Sequence, residues 1–200
     1  MELDLTGAVL VQWNMNNCRV GKVSFRGARF YGGSVFDRAV FGGAAVFSGA
    51  QFCGETSFRN AKFSRIAWFD RSEFSDYASF SSAKFHGKVR FDRAHFLEEC
   101  HFSRCRFHEE ARIRDAVFRG LALFVGTEFR SEALFSGVRF HQGMWMDIAA
   151  LDERVDLNLE GALAKSRFQC FPPSGWRTVE CANSEDKVEG WRKIVPDALE

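Results

Sequence analysis

The stretch CHFSRCRFH, residues 100–108, places two cysteines and two histidines within nine residues. Thiolate and imidazole are the usual tetrahedral ligands of zinc, so Cys100, His101, Cys105 and His108 are the first candidates for chemistry. The chain has five histidines, His86, His95, His101, His108 and His141, and these are the candidate general bases of a nucleophilic site. A third pattern is cationic. Lys62, Lys84 and Arg106 recur every 22 residues, and Lys88, Arg90 and Arg112 fall close to the same phase. Whether any of these groups converge depends on where the backbone aims them, so the periodicity of the chain comes next.

From Phe25 onward a large apolar residue recurs in alternating steps of five and six: 25, 30, 36, 41, 47, 52 and so on to 140, which makes 22 positions, all Phe except Ile113. The residue two places before each is small: 13 of these 22 are Ala, and the rest are Val, Ser, Thr or Cys. A helix with an eleven-residue period would set the two rings of each unit about 130° apart and leave no single apolar stripe. Strands suit the pattern better, because residues two apart share a face. The small residue and the ring then point inward, and the residue between them points out. Each unit makes a very short strand, and stacked coils bury a column of rings, as in a solenoid.

That register decides the chemistry. Cys100 and Cys105 occupy small inward slots while His101 and His108 point outward, so the four cannot meet on one ion, and no metal or cofactor is expected. All five histidines take outward slots on a convex surface, which lacks the concave site that nucleophilic catalysis needs. No glycine-rich phosphate loop or nucleophile turn is present, so no catalytic residue is assigned and no enzyme is expected. The cations form a stripe: Lys62, Lys84 and Arg106 take one outward slot on successive coils, with Lys88, Arg90 and Arg112 expected beside them. This is a candidate docking strip for an acidic protein surface. Trp68, Leu123, Leu134 and Trp145 are apolar residues in outward slots, and Leu123 and Trp145 share one slot on adjacent coils.

Units such as FSGAQF, FRNAKF and FSSAKF resemble those of the pentapeptide-repeat proteins, in particular a Phe-rich subclass with alternating steps. The resemblance covers roughly residues 3–164 and implies a right-handed quadrilateral β-helix, here an all-β solenoid of about seven coils. Leu5, Leu10, Met15 and Val20 continue the ring positions toward the N-terminus, with Trp13 in a small slot where it would plug the open end. Beyond Phe140 the ring positions are read as Met146, Leu151 and Leu157. The solenoid is therefore expected over residues 1–164 and a capping or dimerisation segment over 165–200. In that segment Ser184 would cap a short helix near 184–195, with Val188, Trp191 and Val195 on one face. Leu123, Leu134, Trp145, Val188 and Trp191 are the candidate cap or homodimer contacts.

Lys and Arg total 27 against 26 Asp and Glu. This balance argues against a dedicated nucleic-acid binder. MELDLTGAVLVQW, the start of the chain, carries neither a basic n-region nor a long apolar run, so a cytoplasmic protein without a membrane span is expected. The expected function is a rigid, non-enzymatic interaction scaffold for a protein partner. One alternative, implied by the quinolone-resistance branch of the resembled family, is a DNA mimic that binds a topoisomerase such as gyrase. Residues 60–112 oppose it, with ten Lys and Arg against eight Asp and Glu. A further alternative is an accessory or enzyme-like role carried by the C-terminal segment.

Overall fold

The computed structural model describes residues 2–151, 156–181 and 190–197. Among these residues the chain is all strand and turn, with no helix. Most strands are two residues long and stack into four sheets, named A to D in their order around a complete coil, such as Val23 to Phe41. Sheet A starts with Leu3–Asp4 and Val23–Ser24, sheet B with Val9–Val11 and Arg29–Tyr31, sheet C with Ser34–Val35 and Thr56–Ser57, and sheet D with Arg19–Val20 and Val40–Phe41. They contain 8, 10, 7 and 7 strands respectively, which corresponds to a solenoid of about seven coils. In sheet A, Val23, Ala45, Ala67, Val89, Ala111 and Ala133 pair in turn, each 22 residues after the last. No helix among the described residues is long and apolar enough to cross a membrane.

The core is the repeat made solid. All 21 repeat phenylalanines are at most 1% exposed. Phe47, Phe69 and Phe91 stack face to face at 4.8 Å, one coil apart. Columns from sheets A and C meet edge to face, as Phe58 does with Phe69 at 5.4 Å and 85°. Both are favourable ring geometries, and the small slots make room for them. Polar small slots find their acceptors in different ways: Thr127 Oγ1 donates to Phe102 O at 2.8 Å and Cys105 Sγ to Phe80 O at 2.9 Å on the preceding coil, Ser72 Oγ donates to Phe69 O at 2.6 Å within its own coil, and Ser34 Oγ is buried without an acceptor among the described residues. At the N-terminal end Trp13 packs edge to face on Phe25 at 6.1 Å, in the plug position expected of it.

The alternation of five and six has a backbone cause. The five-residue steps lie at the A/B and C/D corners, where the small residue donates back to the ring residue, as in Ala50 N to Phe47 O at 2.9 Å. The third residue of these turns has positive φ, which Gly49 (φ 66°) and Asn60 (φ 57°) adopt readily. The other two corners spend the extra residue and carry no such bond.

Three expectations change at the C-terminal end. Leu157 does not hold a ring slot; it pairs with Ala133 in the small slot, and Leu159 takes the place above Phe135. This coil has two residues more than the one before, 24 from Ala133 to Leu157 instead of 22. A slip of two keeps every side chain on its own face, so Leu157 remains inward and buried. Leu151 does pair with Phe129 as the repeat requires, across a register shift. The expected helix is also replaced where it can be seen. Trp191–Pro196 is a strand, antiparallel to Leu163–Lys165 of sheet B and to Trp176–Glu180. The last coil offers unpaired backbone N–H and C=O groups, which a strand satisfies and a helix does not. Trp191 and Ile194 are buried against this end, in place of Trp191 and Val195. Residues 184–189 of the expected helix, Val188 included, lie outside the described residues.

Candidate functional site

Sheet D brings Lys62, Lys84 and Arg106 into direct register on three successive coils, as the repeat implied. The next coil supplies Glu128 in the same slot, and Arg106 Nε donates to its Oε1 at 3.0 Å. Lys62 and Lys84 are exposed, and no carboxylate among the described residues lies within 4.0 Å of either. Beside them His86 and His108 stack at 4.5 Å. Desolvation holds the pKa of both rings below the usual imidazole value, and Lys62 and Lys84 press His86 in the same direction.

The other three cations of the expected strip belong elsewhere. Arg90 and Arg112 are register partners in sheet A, and Lys88 stands at the corner leading into that sheet. Lys88 Nζ donates to Glu110 Oε2 at 2.9 Å, and Arg112 Nη2 meets Asp92 Oδ2 at 2.7 Å. Lys88 in turn holds the Glu110 carboxyl below its usual range. Arg90 lies over the ring of Trp68, 5.5 Å from its centroid. The six cations are therefore two groups on two faces; Lys88 and Arg112 are compensated by Glu110 and Asp92, acidic neighbours that the sequence places close by, and Arg106 by Glu128, which the sequence reading did not single out.

Sheet A also borders a groove of about 340 Å³ at the A/B corner, lined by Arg71, Arg90, Arg93, Arg112 and Arg114 together with Asp70, Asp92 and Asp115. Arg71, Arg93 and Asp115 occupy the positive-φ turn position, at 55°, 57° and 54°. A left-handed residue other than glycine costs about 1–2 kcal/mol.

Sheet C carries a polar chain that sequence reasoning missed. Arg59 Nη2 donates to the Tyr77 hydroxyl at 3.1 Å, Tyr77 meets His101 Nδ1 at 3.2 Å, and His101 Nε2 pairs with Glu99. His101 thus has oriented partners, contrary to the expectation from slot positions alone. The only hint in the sequence is that Arg59, Tyr77, His101 and Glu99 flank one outward column on neighbouring coils. Beneath this chain Ser79 is fully buried although its slot faces outward. The arrangement has the form of a proton relay, but it roofs a sheet and lines none of the grooves described here. Cys100 and Cys105 are fully buried, with thiol pKa values pushed up by desolvation, while His101 and His108 stand on the outside as their slots require.

The apolar candidates also divide. Leu123 and Trp145 are register partners in sheet C, and Phe171 extends their column, its ring 5.5 Å from that of Trp145. Trp145 and Phe171 are about half exposed, at 49% and 48%. Leu134 stands apart in sheet A, beside Arg112 and Asn158. Trp191 is buried by the terminal hairpin, with Lys165 Nζ 4.9 Å over its ring and His141 packed edge to face at 4.8 Å.

A model for pentapeptide repeats (9 copies) matches residues 36–80, 69–117 and 102–147. The chain belongs to the pentapeptide-repeat family. The match spans the coils that carry Lys62, Lys84, the A/B groove and the Tyr77 chain, whereas Phe171, Val188 and Trp191 lie outside it. No curated protein sequence matches. Among solved structures, a trypsin-treated form of QnrB1, a plasmid-mediated fluoroquinolone resistance protein, aligns over 84% of this chain and 93% of its own at 15% identity, with a TM-score of 0.28. A second trypsin-treated form aligns over 84% and 92% at 16% identity, with a TM-score of 0.20. At those scores neither bears on what this pentapeptide-repeat chain does.

Proposed function

We propose that this chain, a right-handed four-sided β-helix as its family membership implies, is a non-enzymatic cytoplasmic scaffold that docks a protein partner along sheet D. The observation that carries the reading is the stacked pair Lys62 and Lys84, exposed and with no carboxylate within 4.0 Å among the described residues. Parallel strands in continuous register make a flat, stiff surface, and like charges one strand apart repel by up to about 0.8 kcal/mol in water. An acidic partner surface relieves that repulsion. Arg106, already held by Glu128, contributes to the edge of the contact rather than to its charge.

Such a contact weakens as salt rises, since exposed charges are screened beyond about 8–10 Å at physiological ionic strength. The test is recovery of partners from a lysate of the source cell by the wild-type protein and by the Lys62→Glu, Lys84→Glu variant, at low and high salt. The expected result is salt-sensitive recovery that the reversal abolishes, with an unchanged melting temperature. Equal recovery by the reversed protein overturns the strip. A gyrase supercoiling assay run alongside addresses the DNA-mimic alternative, which the outward cations of sheets D and A oppose; no inhibition is expected. Any homodimer is assigned to the Leu123, Trp145 and Phe171 column, and Trp145→Glu should then halve the mass measured by light scattering.

A further inference from the structure

The A/B corner repeats eight times along the rod, and its positive-φ position shows a clear break. It is glycine in five coils, Gly7, Gly27, Gly49, Gly137 and Gly161. In the three consecutive coils between them it is Arg71, Arg93 and Asp115, and these are the coils that line the groove. Charged side chains stand where glycine would relieve the backbone, and residues held in sparsely populated backbone regions cluster at functional sites. The C/D corner also tolerates Arg38 and Arg104 at positive φ, so the conformation alone does not mark a site. The content of the groove does.

The groove holds five Arg and no Lys, against three Asp. Each carboxylate already has a donor or a cation beside it, Asp92 most fully. Asp92 accepts from Arg112 Nη2 at 2.7 Å and from the Arg114 backbone N–H at 3.1 Å. Asp70 accepts from Ser48 Oγ at 2.9 Å, and Asp115 lies 3.8 Å from Arg93 Nε. Arg71, Arg90 and Arg114 are left with no carboxylate within 4.0 Å among the described residues. One more donor stands out: Arg112 Nε is buried and has no hydrogen-bond acceptor among the described residues, Glu110 Oε1 being 3.9 Å away. A buried N–H of a charged group without an acceptor is rare in folded proteins and points to a missing partner.

We propose that this groove binds a small phosphate monoester, with the phosphate held among Arg71, Arg90, Arg112 and Arg114. A guanidinium presents a planar fork that matches tetrahedral oxyanions bidentately, which explains arginine in place of lysine at all five positions. Stacking on Trp68 fixes the direction of Arg90 before any ligand arrives. A volume of about 340 Å³ lies at the small end of ligand sites and suits a phosphate carrying a compact polar body. Asp70 and Asp115 are then placed to accept hydrogen bonds from hydroxyl groups of that body. A long polyanion fits less well. The site spans three coils, roughly 10 Å at one strand spacing per step, and the corner reverts to Ser48, Gly49 and Ser136, Gly137 on either side. The inference does not rest on docking along sheet D.

The test is titration calorimetry of the full chain with inorganic phosphate, glucose 6-phosphate, glucose and a polyglutamate peptide, all at one ionic strength set with chloride. Glucose 6-phosphate should bind saturably at one site per chain, inorganic phosphate more weakly, and glucose not at all. Two variants locate the site. Arg114→Gln should weaken glucose 6-phosphate at least tenfold. Arg71→Gly should weaken it comparably while raising the melting temperature of the unliganded protein, because it removes a strained residue and one uncompensated charge together. Absence of saturable binding by both phosphate probes overturns the proposal. Binding that both variants leave unchanged overturns it too, as does groove-dependent binding of polyglutamate alone, which would make the groove part of a protein interface.

Discussion

The imidazole of His86 lies face to face with that of His108, ring centroids 4.5 Å apart and planes 15° apart. Desolvation lowers both pKa values below the usual 6.5; Lys62 and Lys84 add to this for His86, and His86, Arg130 and Arg106 for His108, where Glu128 alone opposes. Above the usual value both rings are neutral in the folded and unfolded chain, and the pair contributes nothing to pH dependence. As pH falls below it, the unfolded chain takes up protons that the folded pair refuses, and stability declines until the lowered folded values are passed. The melting temperature should therefore be flat between about pH 7 and about pH 8, above which the raised pKa values of the desolvated thiols Cys100, Cys105 and Cys170 begin to lower it, and should fall below about pH 6.5. The fall should be smaller in a His86→Asn, His108→Asn variant. An identical slope in that variant would assign the effect to other groups.

Phe91 is packed on Phe69 at 4.8 Å and meets Phe80 and Phe102 edge to face at 5.3 and 5.2 Å. Its replacement by alanine should cost about 3–5 kcal/mol in urea unfolding, as for other buried rings. Ala83→Leu should cost about 1–3 kcal/mol by overpacking. Lys84→Ala, on the outward slot between two inward ones, should change stability by no more than about 0.5 kcal/mol. A neutral Phe91→Ala would contradict the packing of the column.

Among the described residues the terminal hairpin pairs with sheet B. Truncation after Lys165 removes both of its strands and uncovers the backbone of Leu163–Lys165 together with the apolar end of the last coil. Exposed parallel edges recruit other chains, so light scattering of the truncated protein should show larger species. A monodisperse product of proportionate mass would mean that the hairpin is not a required cap.

The thiols should separate by burial. Cys18 and Cys53 are exposed, whereas Cys100 and Cys105 are fully buried with their pKa values pushed up by desolvation. Burial also pushes Cys170 up, to about 11. Because the thiolate is the reactive form, native-state alkylation read by mass spectrometry should mark Cys18 and Cys53 first and Cys100 and Cys105 only on unfolding. Rapid labelling of Cys105 in the native protein would place it outside the core.

Residue spacing alone determined the coil. A ring every five or six residues with a small residue two places before it has one compact solution, in which both face inward and coils stack. The stacking of Phe47 on Phe69, the inward Cys100 and Cys105, the outward histidines and the alignment of Lys62 with Lys84 all follow from that count. What spacing does not carry is anything that depends on side-chain reach or on chain ends. Lys88, Arg106 and Arg112 share the phase of a basic stripe, yet each is met by a carboxylate, because a long side chain can bridge one coil or turn a corner to find its counter-charge. The coil from Ala133 to Leu157 is longer by two residues than the one before, which places Leu157 in the small slot instead of the ring slot without altering its inward direction. The segment Trp191–Pro196 fits a helical face as well as a strand by pattern, and the unsatisfied edge of sheet B decided between them. The groove at Arg71, Arg93 and Asp115 is likewise a tertiary product, since three corners 22 residues apart become one surface only when the coils stack.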